Sequence, residues 1–329
     1  MTTPPIPLPT PLPSQILPST KPNSGFHVLI IGGSITGLTL AHCLTAAGIS
    51  YTILEKHHNL VASLGGVIGV APTGARILDQ LGLFDALNKI AQGIRVLRTA
   101  FPDGRGVSQT WVREFEGRYG YGFSIVTRQQ LLEVLYTGLS ERANETVNGG
   151  KEVTRIYHEG DVAKVHTCDG SVYTGDLVVG ADGLHSIARS EMLRMVGKRA
   201  VAESSKLAAD YRVHVGLSTS IPGLSTGEQI IQSYDGFAIF VFFGKDGELG
   251  WFVTEKLDRR YMYPDRPVHT HEDAIAYCES LSGVHVWMKL DFRNVPRGLD
   301  KGNSKEQGWS LRSLILLVSV IVLLLALAF

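Results

Sequence analysis

The run Gly32-Gly33-Ser34-Ile35-Thr36-Gly37 has the spacing of a turn that cradles phosphates. Gly32 permits a tight turn, a small residue at Ser34 lets backbone N–H groups approach a pyrophosphate, and Gly37 lets a helix pack closely on a strand. Glu55 stands 23 residues after Gly32, where a carboxylate at the end of a second strand accepts hydrogen bonds from ribose hydroxyls. Together these residues point to a dinucleotide. A second candidate is Asp182-Gly183 followed by Ser186 and Arg189, an Asp-Gly turn delivered by the apolar run Leu177–Val179. Taken alone, that segment fits an ordinary turn with a solvated arginine as well as it fits a loop touching a dinucleotide. His42, His57, His58, His185, His269 and His271 lack metal-ligand spacing; His42 reads as helix packing and the others as surface, so no metal is expected.

These residues need elements to hold them. Val28–Ile31 is a short apolar run suited to a parallel strand buried on both faces, and Leu38, Ala41, Leu44 and Thr45 then recur at helical spacing before Gly48. With the strand ending at Glu55 they make a βαβ unit. Ala71–Leu81 reads as a helix with Pro72 in its first turn and Gly82 past its end. Thr127-Arg128-Gln129-Gln130 forms a capping box for Leu131, Leu132, Leu135 and Leu139. Asp103-Gly104, Asp169-Gly170, Asp235-Gly236 and Asp246-Gly247 mark hairpins. The reading places a meander over 151–179, four antiparallel strands of a second sheet over 206–255, and a last helix over Glu272–Leu281 capped by Thr270 or His271.

The chain has 329 residues, 44% of them hydrophobic, with mean hydropathy +0.09. Lys+Arg 31 balance Asp+Glu 31, which leaves no net field to attract nucleic acid, and Cys43, Cys168 and Cys278 make no disulfide framework. The ends differ from the middle. Pro4, Pro5, Pro7, Pro9, Pro11, Pro13, Pro18 and Pro22 make 1–24 read as a disordered lead. Ser313–Phe329 carries no charge and is preceded by Arg293, Arg297, Lys301, Lys305 and Arg312. The expectation is a single-pass C-terminal transmembrane anchor with a cytosolic body, on the endoplasmic reticulum; a buried core helix or an altered splice end are the alternatives.

The stretches GGSITGLTLAHCL, ILEK, RILDQLG, TRQQLLEVLY, VVGADGLHSIAR and WFVTEKLDRRYMYPD resemble the class A FAD-dependent monooxygenases of the aromatic-hydroxylase superfamily. Among these, the similarity is to the fungal paxilline-type enzymes of meroterpenoid and indole-diterpene biosynthesis. It covers about three quarters of the chain, over Phe26–Asp273. The resemblance implies an α/β fold: a Rossmann-like FAD-binding domain with an inserted antiparallel β-sheet substrate domain, here followed by the expected transmembrane helix. The corresponding boundaries are 1–24 lead, 25–205 FAD-binding domain, 206–290 substrate domain, 291–312 linker and 313–329 membrane segment.

It further implies that Gly32, Gly33, Ser34, Gly37 and Glu55 bind FAD, that Gly69 lies along the cofactor, and that Arg128 reaches it from a helix start. Arg128 also reads as a solvated helix-start residue. Asp182 and Gly183 would serve the pyrophosphate motif shared by FAD and NADPH, and Tyr211 and Arg212 would position substrate and oxygen. The implied function is NAD(P)H-driven epoxidation or hydroxylation, with molecular oxygen, of a hydrophobic prenylated metabolite. The alternative is a truncated, membrane-held paralogue with weak or no flavin binding. One family signature, a later Gly-Asp followed six residues on by Pro, is not found; the Gly-Asp pairs here are Gly160-Asp161 and Gly175-Asp176.

Overall fold

The computed structural model describes residues 25–61, 66–103, 105–139, 146–197, 208–218, 226–245, 249–262, 265 and 270–281. Its strands, in chain order, begin with β1 His27–Ile31, β2 Ser50–Leu54, β3 Val67–Val70, β4 Gln92–Gly93, β5 Val96–Ala100, β6 Gly106–Gln109, β7 Ser124–Thr127 and β8 Val147–Asn148. They continue with β9 Val153–Glu159, β10 Val162–Thr167, β11 Val172–Gly175, β12 Leu177–Gly180, β13 Ala208–Ser218, β14 Glu228–Ser233, β15 Phe237–Phe243 and β16 Leu249–Met262.

The first sheet runs in the order β12-β1-β2-β8 with parallel pairing throughout. Parallel strands are covered on both faces, and β1 shows why its sequence is continuously apolar. Val28 and Ile30 pack into the core beneath helices α1 (Ile35–Ala47), α2 (Pro72–Gln80), α3 (Phe84–Ile90) and α5 (Arg128–Thr137), while Leu29 and Ile31 face the β9-β10-β11 meander. Helix α1 stops at Gly48, which adopts φ 68, with the N–H groups of Gly48 and Ile49 donating to the carbonyls of Thr45 and Leu44. Pro72 does stand in the first turn of α2, and Thr127 with Gln130 closes a capping box at the start of α5. A short helix, α4 (Glu114–Tyr119), lies between β6 and β7.

The second sheet has six strands in the order β13-β16-β15-β14-β5-β6. The four strands expected over 206–255 are there, with β16 extending to Met262, but the β5–β6 hairpin joins them through a parallel β14–β5 pairing, Glu228↔Val96 to Gln232↔Ala100. Both faces of this sheet are occupied. Ile239, Val241, Trp251 and Val253 lie on the side of Cys278 and Leu281 at the last helix among the described residues, His271–Ser280, which Thr270 caps. Phe240, Phe242 and Phe252 lie against Val67, Phe123 and Ile125 of the three-stranded β3-β7-β4 sheet and its approach. That second contact joins the two halves of the molecule.

The transmembrane part of the expected fold is corrected. Among the described residues no helix is long and apolar enough to cross a membrane. The longest described helix, α1, has 13 residues, about 20 Å at 1.5 Å per residue, and it buries Leu38 and Ala41 in the core. The segment 313–329 that carried the expectation lies outside the described residues, as do 1–24 and 291–312. The anchor, and the membrane localisation drawn from it, are set aside.

Candidate nucleotide site

The carboxyl ends of β1, β2 and β12 converge, and each leads into a segment singled out by its sequence. At Gly32 the chain turns with φ 105, and its N–H donates to the Leu54 carbonyl at 2.8 Å. A Cβ on Gly32 would lie 2.5 Å from the Ala181 carbonyl oxygen, and one on Gly37 would overlap the Gly32 carbonyl. The turn therefore needs both glycines. The first sheet reverses direction of winding here: the chain proceeds from β1 to β2 on one side, and β12 pairs on the other, which makes the crevice above these ends the switch point where α/β sheets take ligands.

Helix α1 begins at Ser34, which makes no side-chain cap, and its first turn contains no acidic residue. An uncapped positive helix end facing a glycine turn suits a pyrophosphate. Glu55, buried at the end of β2, is fixed by two backbone donors: Gly33 N–H to Oε2 at 2.7 Å and His57 N–H to Oε1 at 2.9 Å. Each oxygen keeps a further lone pair for a hydroxyl. The residues present therefore fit a dinucleotide's ribose and pyrophosphate.

Arg128 comes from elsewhere in the chain and meets this turn. It is the first residue of α5, its N–H donates to the Gly66 carbonyl at 3.0 Å, and its Nη2 donates to Ser34 Oγ at 2.8 Å. Burial pulls the guanidinium below its ordinary pKa, and the Glu55 carboxylate opposes that shift. Its side chain is half-buried and reaches toward the glycine turn. Gly69 lies on β3 opposite Ile125 of β7, the strand that leads into α5; a Cβ there would come 2.7 Å from the Phe123 ring.

Asp182 and Gly183 follow β12. The Asp182 carboxylate accepts from Ser186 Oγ at 2.6 Å and from Ala188 N–H at 3.1 Å, so it braces the start of the Ile187–Val196 helix. Gly183 takes φ 74 with open space about its Cα, and Arg189 Nη2 folds back onto the Leu184 carbonyl at 2.5 Å. This loop abuts the glycine turn through backbone: Ala181 N–H donates to Ile31 O at 2.7 Å.

Tyr211 and Arg212 are neighbours on β13 and so face opposite sides of the second sheet. Tyr211 shares its side with Val213 and Val215, the latter opposite Phe252, on the face that meets the β3-β7-β4 sheet. Arg212 points to the other face, where its Nη2 donates to Glu255 Oε1 at 3.1 Å and its Nε is buried without a partner. His214 Nε2 lies 2.9 Å from Glu255 Oε2, and the His214 ring stacks on Tyr277 of the final helix with centroids 4.9 Å apart. Burial, with the Glu255 carboxylate nearby, pushes the Tyr277 phenol up to about 12 and the Cys278 thiol up to about 11. Sequence reasoning missed this cluster. The only signal was the shared period-2 face of Arg212 and His214. Among the described residues no group of His, Cys, Asp and Glu could hold a metal ion.

A family described as FAD binding domain matches residues 26–226. The chain is 40% identical over 270 residues to FAD-dependent monooxygenase nvfK of Aspergillus novofumigatus, covering 80% of this chain and 57% of that protein. It is 40% identical over 273 residues to FAD-dependent monooxygenase paxM of Penicillium paxilli, covering 81% of this chain and 57% of that one. The chain thus spans less than two thirds of the length of these relatives. Among solved structures, Klebsiella pneumoniae HpxO complexed with FAD and uric acid superposes with a TM-score of 0.64 at 21% identity, over 82% of this chain and 66% of that one. That likeness speaks for the fold.

Proposed function

The chain belongs to the FAD binding domain family, the class A flavin monooxygenases, and on that premise we propose that it is an FAD-dependent monooxygenase acting on a hydrophobic prenylated metabolite with NADPH as reductant. FAD supplies the redox and oxygen-activating chemistry when bound. The protein's own residues bind and orient. In this reading Glu55 accepts from the adenosine ribose hydroxyls, and Gly32, Gly33, Ser34 and Gly37 bring backbone donors to the pyrophosphate. Arg128 adds the balancing charge beside Ser34, Gly69 lies along the flavin side, and the Asp182-Gly183 turn closes the crevice next to Gly32.

Tyr211, on the sheet face toward the β3-β7-β4 layer, offers its hydroxyl to substrate. Arg212 contributes through β13, since its guanidinium is committed to Glu255 on the opposite face. The aromatic layer of Phe240, Phe242 and Phe252 between the sheets supports an apolar substrate and excludes water at the reacting end. The similarity to paxM and nvfK supports the fungal secondary-metabolite class. A flavin-free relative is disfavoured by the intact glycine turn and the doubly held Glu55.

The observation that carries the proposal is the buried Glu55 carboxylate, held by two backbone N–H groups beside an uncapped helix start. Glu55→Ala is expected to weaken FAD binding about ten- to a hundredfold, because a charge-assisted hydrogen bond is worth about 1.5–3 kcal/mol. The control is Glu228→Ala, since Glu228 pairs with Arg98 at 2.7 Å in the second sheet. Flavin fluorescence quenching measures both, and equal retention of FAD by the two variants would defeat the assignment.

A further inference from the structure

The segment carrying Glu55 is tied to a glycine pair that follows β8. Glu55 N–H donates to the Asn148 carbonyl at 2.9 Å, Lys151 N–H to the Glu55 carbonyl at 2.8 Å, and Gly150 N–H to the His57 carbonyl at 3.2 Å. The His57 residue is thus used at both ends: its C=O accepts from Gly150 while its N–H holds Glu55 Oε1. Gly150 adopts φ 71, and a Cβ there would overlap the His58 ring. A Cβ on Gly149 would lie 3.0 Å from the His58 carbonyl oxygen and 3.1 Å from that of His57, both of them backbone atoms that yield only if the loop moves.

We propose that the Gly149-Gly150 turn is a positioning element for the ribose of the bound nucleotide, acting through the His57 peptide on the Glu55 carboxylate. A Cβ on Gly149 meets the His57 and His58 carbonyls and displaces that backbone by a few tenths of an ångström, while one on Gly150 meets the His58 ring and strains a left-handed φ; a shift of the His57–His58 peptides by either route takes the His57 N–H away from Oε1. The carboxylate then keeps only the Gly33 N–H and loses the orientation that presents both oxygens to a cis-diol. Two glycines are required here for opposite reasons: Gly150 to admit the His58 ring at a left-handed φ, and Gly149 to let two backbones touch. The inference rests on Glu55 being the ribose ligand.

The test measures dissociation constants for FAD and for AMP, which carries the ribose without the flavin, alongside thermal stability. Gly150→Ala is expected to weaken both nucleotides about tenfold, the size of one lost charge-assisted hydrogen bond. In a His58→Ala background, which removes the obstructing ring, the same change should cost less than about threefold, and this background also serves if the single variant does not fold. Gly149→Ala should weaken both nucleotides whether or not His58 is present, because its obstruction is backbone. Gly170→Ala is the control for a strained φ: Gly170 has φ 84 with nothing near its Cα, so it should lower stability and leave affinity unchanged.

Wild-type affinity in Gly150→Ala, or a loss that persists undiminished in the His58→Ala background, would overturn the proposal. If Glu55→Ala weakens FAD and the glycine variants do not, this inference fails alone. If Glu55→Ala has no effect, the ribose assignment itself has failed.

Discussion

Glu55 and Glu255 are both carboxylates drawn into the protein, one in each half, and they are held in opposite ways. Glu55 accepts from the backbone N–H groups of Gly33 and His57, whereas Glu255 accepts from the side chains of Arg212 and His214. Backbone donors are fixed by the fold, carry no net charge, and leave the outer lone pairs of Glu55 for a ligand. The donors around Glu255 are a guanidinium and an imidazole that share that one carboxylate. Even intact, this cluster leaves Arg212 Nε buried and unpartnered. The first arrangement is a receptor prepared in advance, and the second is a clasp that closes β13 on β16 and seats Tyr277 of the final helix.

The sharpest way to break the comparison is to remove the clasp. Glu255→Ala leaves the Arg212 charge and the His214 ring without their shared acceptor, and breaking a buried pair on one side costs about 3 kcal/mol or more. Urea unfolding should register that loss while FAD affinity stays within about threefold of wild type. A fall in FAD affinity matching that of Glu55→Ala would mean that the two carboxylates are not separable.

A smaller effect probes the receptor side. Thr127→Ala removes the cap of α5, at a cost of about 1 kcal/mol in stability. Because Arg128 is the next residue and reaches Ser34, the variant should also bind FAD a few times more weakly. Retention of full affinity would show that Arg128 keeps its place without the Thr127 cap.

The smallest effect concerns pH. His42 on α1 hydrogen-bonds the Leu135 carbonyl of α5 at 2.7 Å, and burial lowers its pKa below the ordinary histidine value. A depressed folded-state pKa means that the unfolded chain binds the proton more readily. His42 therefore contributes stability that is present above about pH 6.5 and lost as pH falls through the depressed value. Thermal melts between about pH 8 and about pH 5 should show a decline that is shallower in His42→Gln, which keeps a donor but does not titrate. Identical slopes would remove His42 from the account.

Local signals carried much of the first half. Pro72 at the start of α2 and the Thr127 capping box involve residues within a few positions of one another, the βαβ unit is built from short periodic runs in sequence, and the structure contains all three. Asp169-Gly170 and Asp235-Gly236 likewise turn where expected, with φ 84 and 83 at their glycines. What escaped depends on partners far away in the chain. The β14–β5 pairing joins residues about 130 positions apart, as in Arg98 and Glu228, and no local pattern announces it. Alternation along β13 says that Tyr211 and Arg212 diverge, but which face meets the nucleotide half depends on Phe252 and Val67. His57 was unreadable as a site residue because its contribution is a peptide group, which every residue carries. The membrane expectation rested on the apolar run at 313–329, which lies outside the described residues; among those, no helix is long and apolar enough to cross a membrane.

The parallel pairing of β14 with β5 has a consequence for how the chain is made. During synthesis at about 5–20 residues per second, the β5–β6 hairpin precedes its partner by on the order of ten seconds. Throughout that interval the inner edge of Val96–Ala100 exposes unpaired backbone groups, the kind of template on which nascent chains associate wrongly. Arg98 stands in the middle of this edge, and a charge there discourages pairing with another chain until Glu228 arrives to neutralise it at 2.7 Å. The same ion pair that finishes the sheet thus begins as a guard on an unfinished one. Yield from fast, warm expression, where many chains wait together in this state, should depend on Arg98 far more than the stability of the finished protein does.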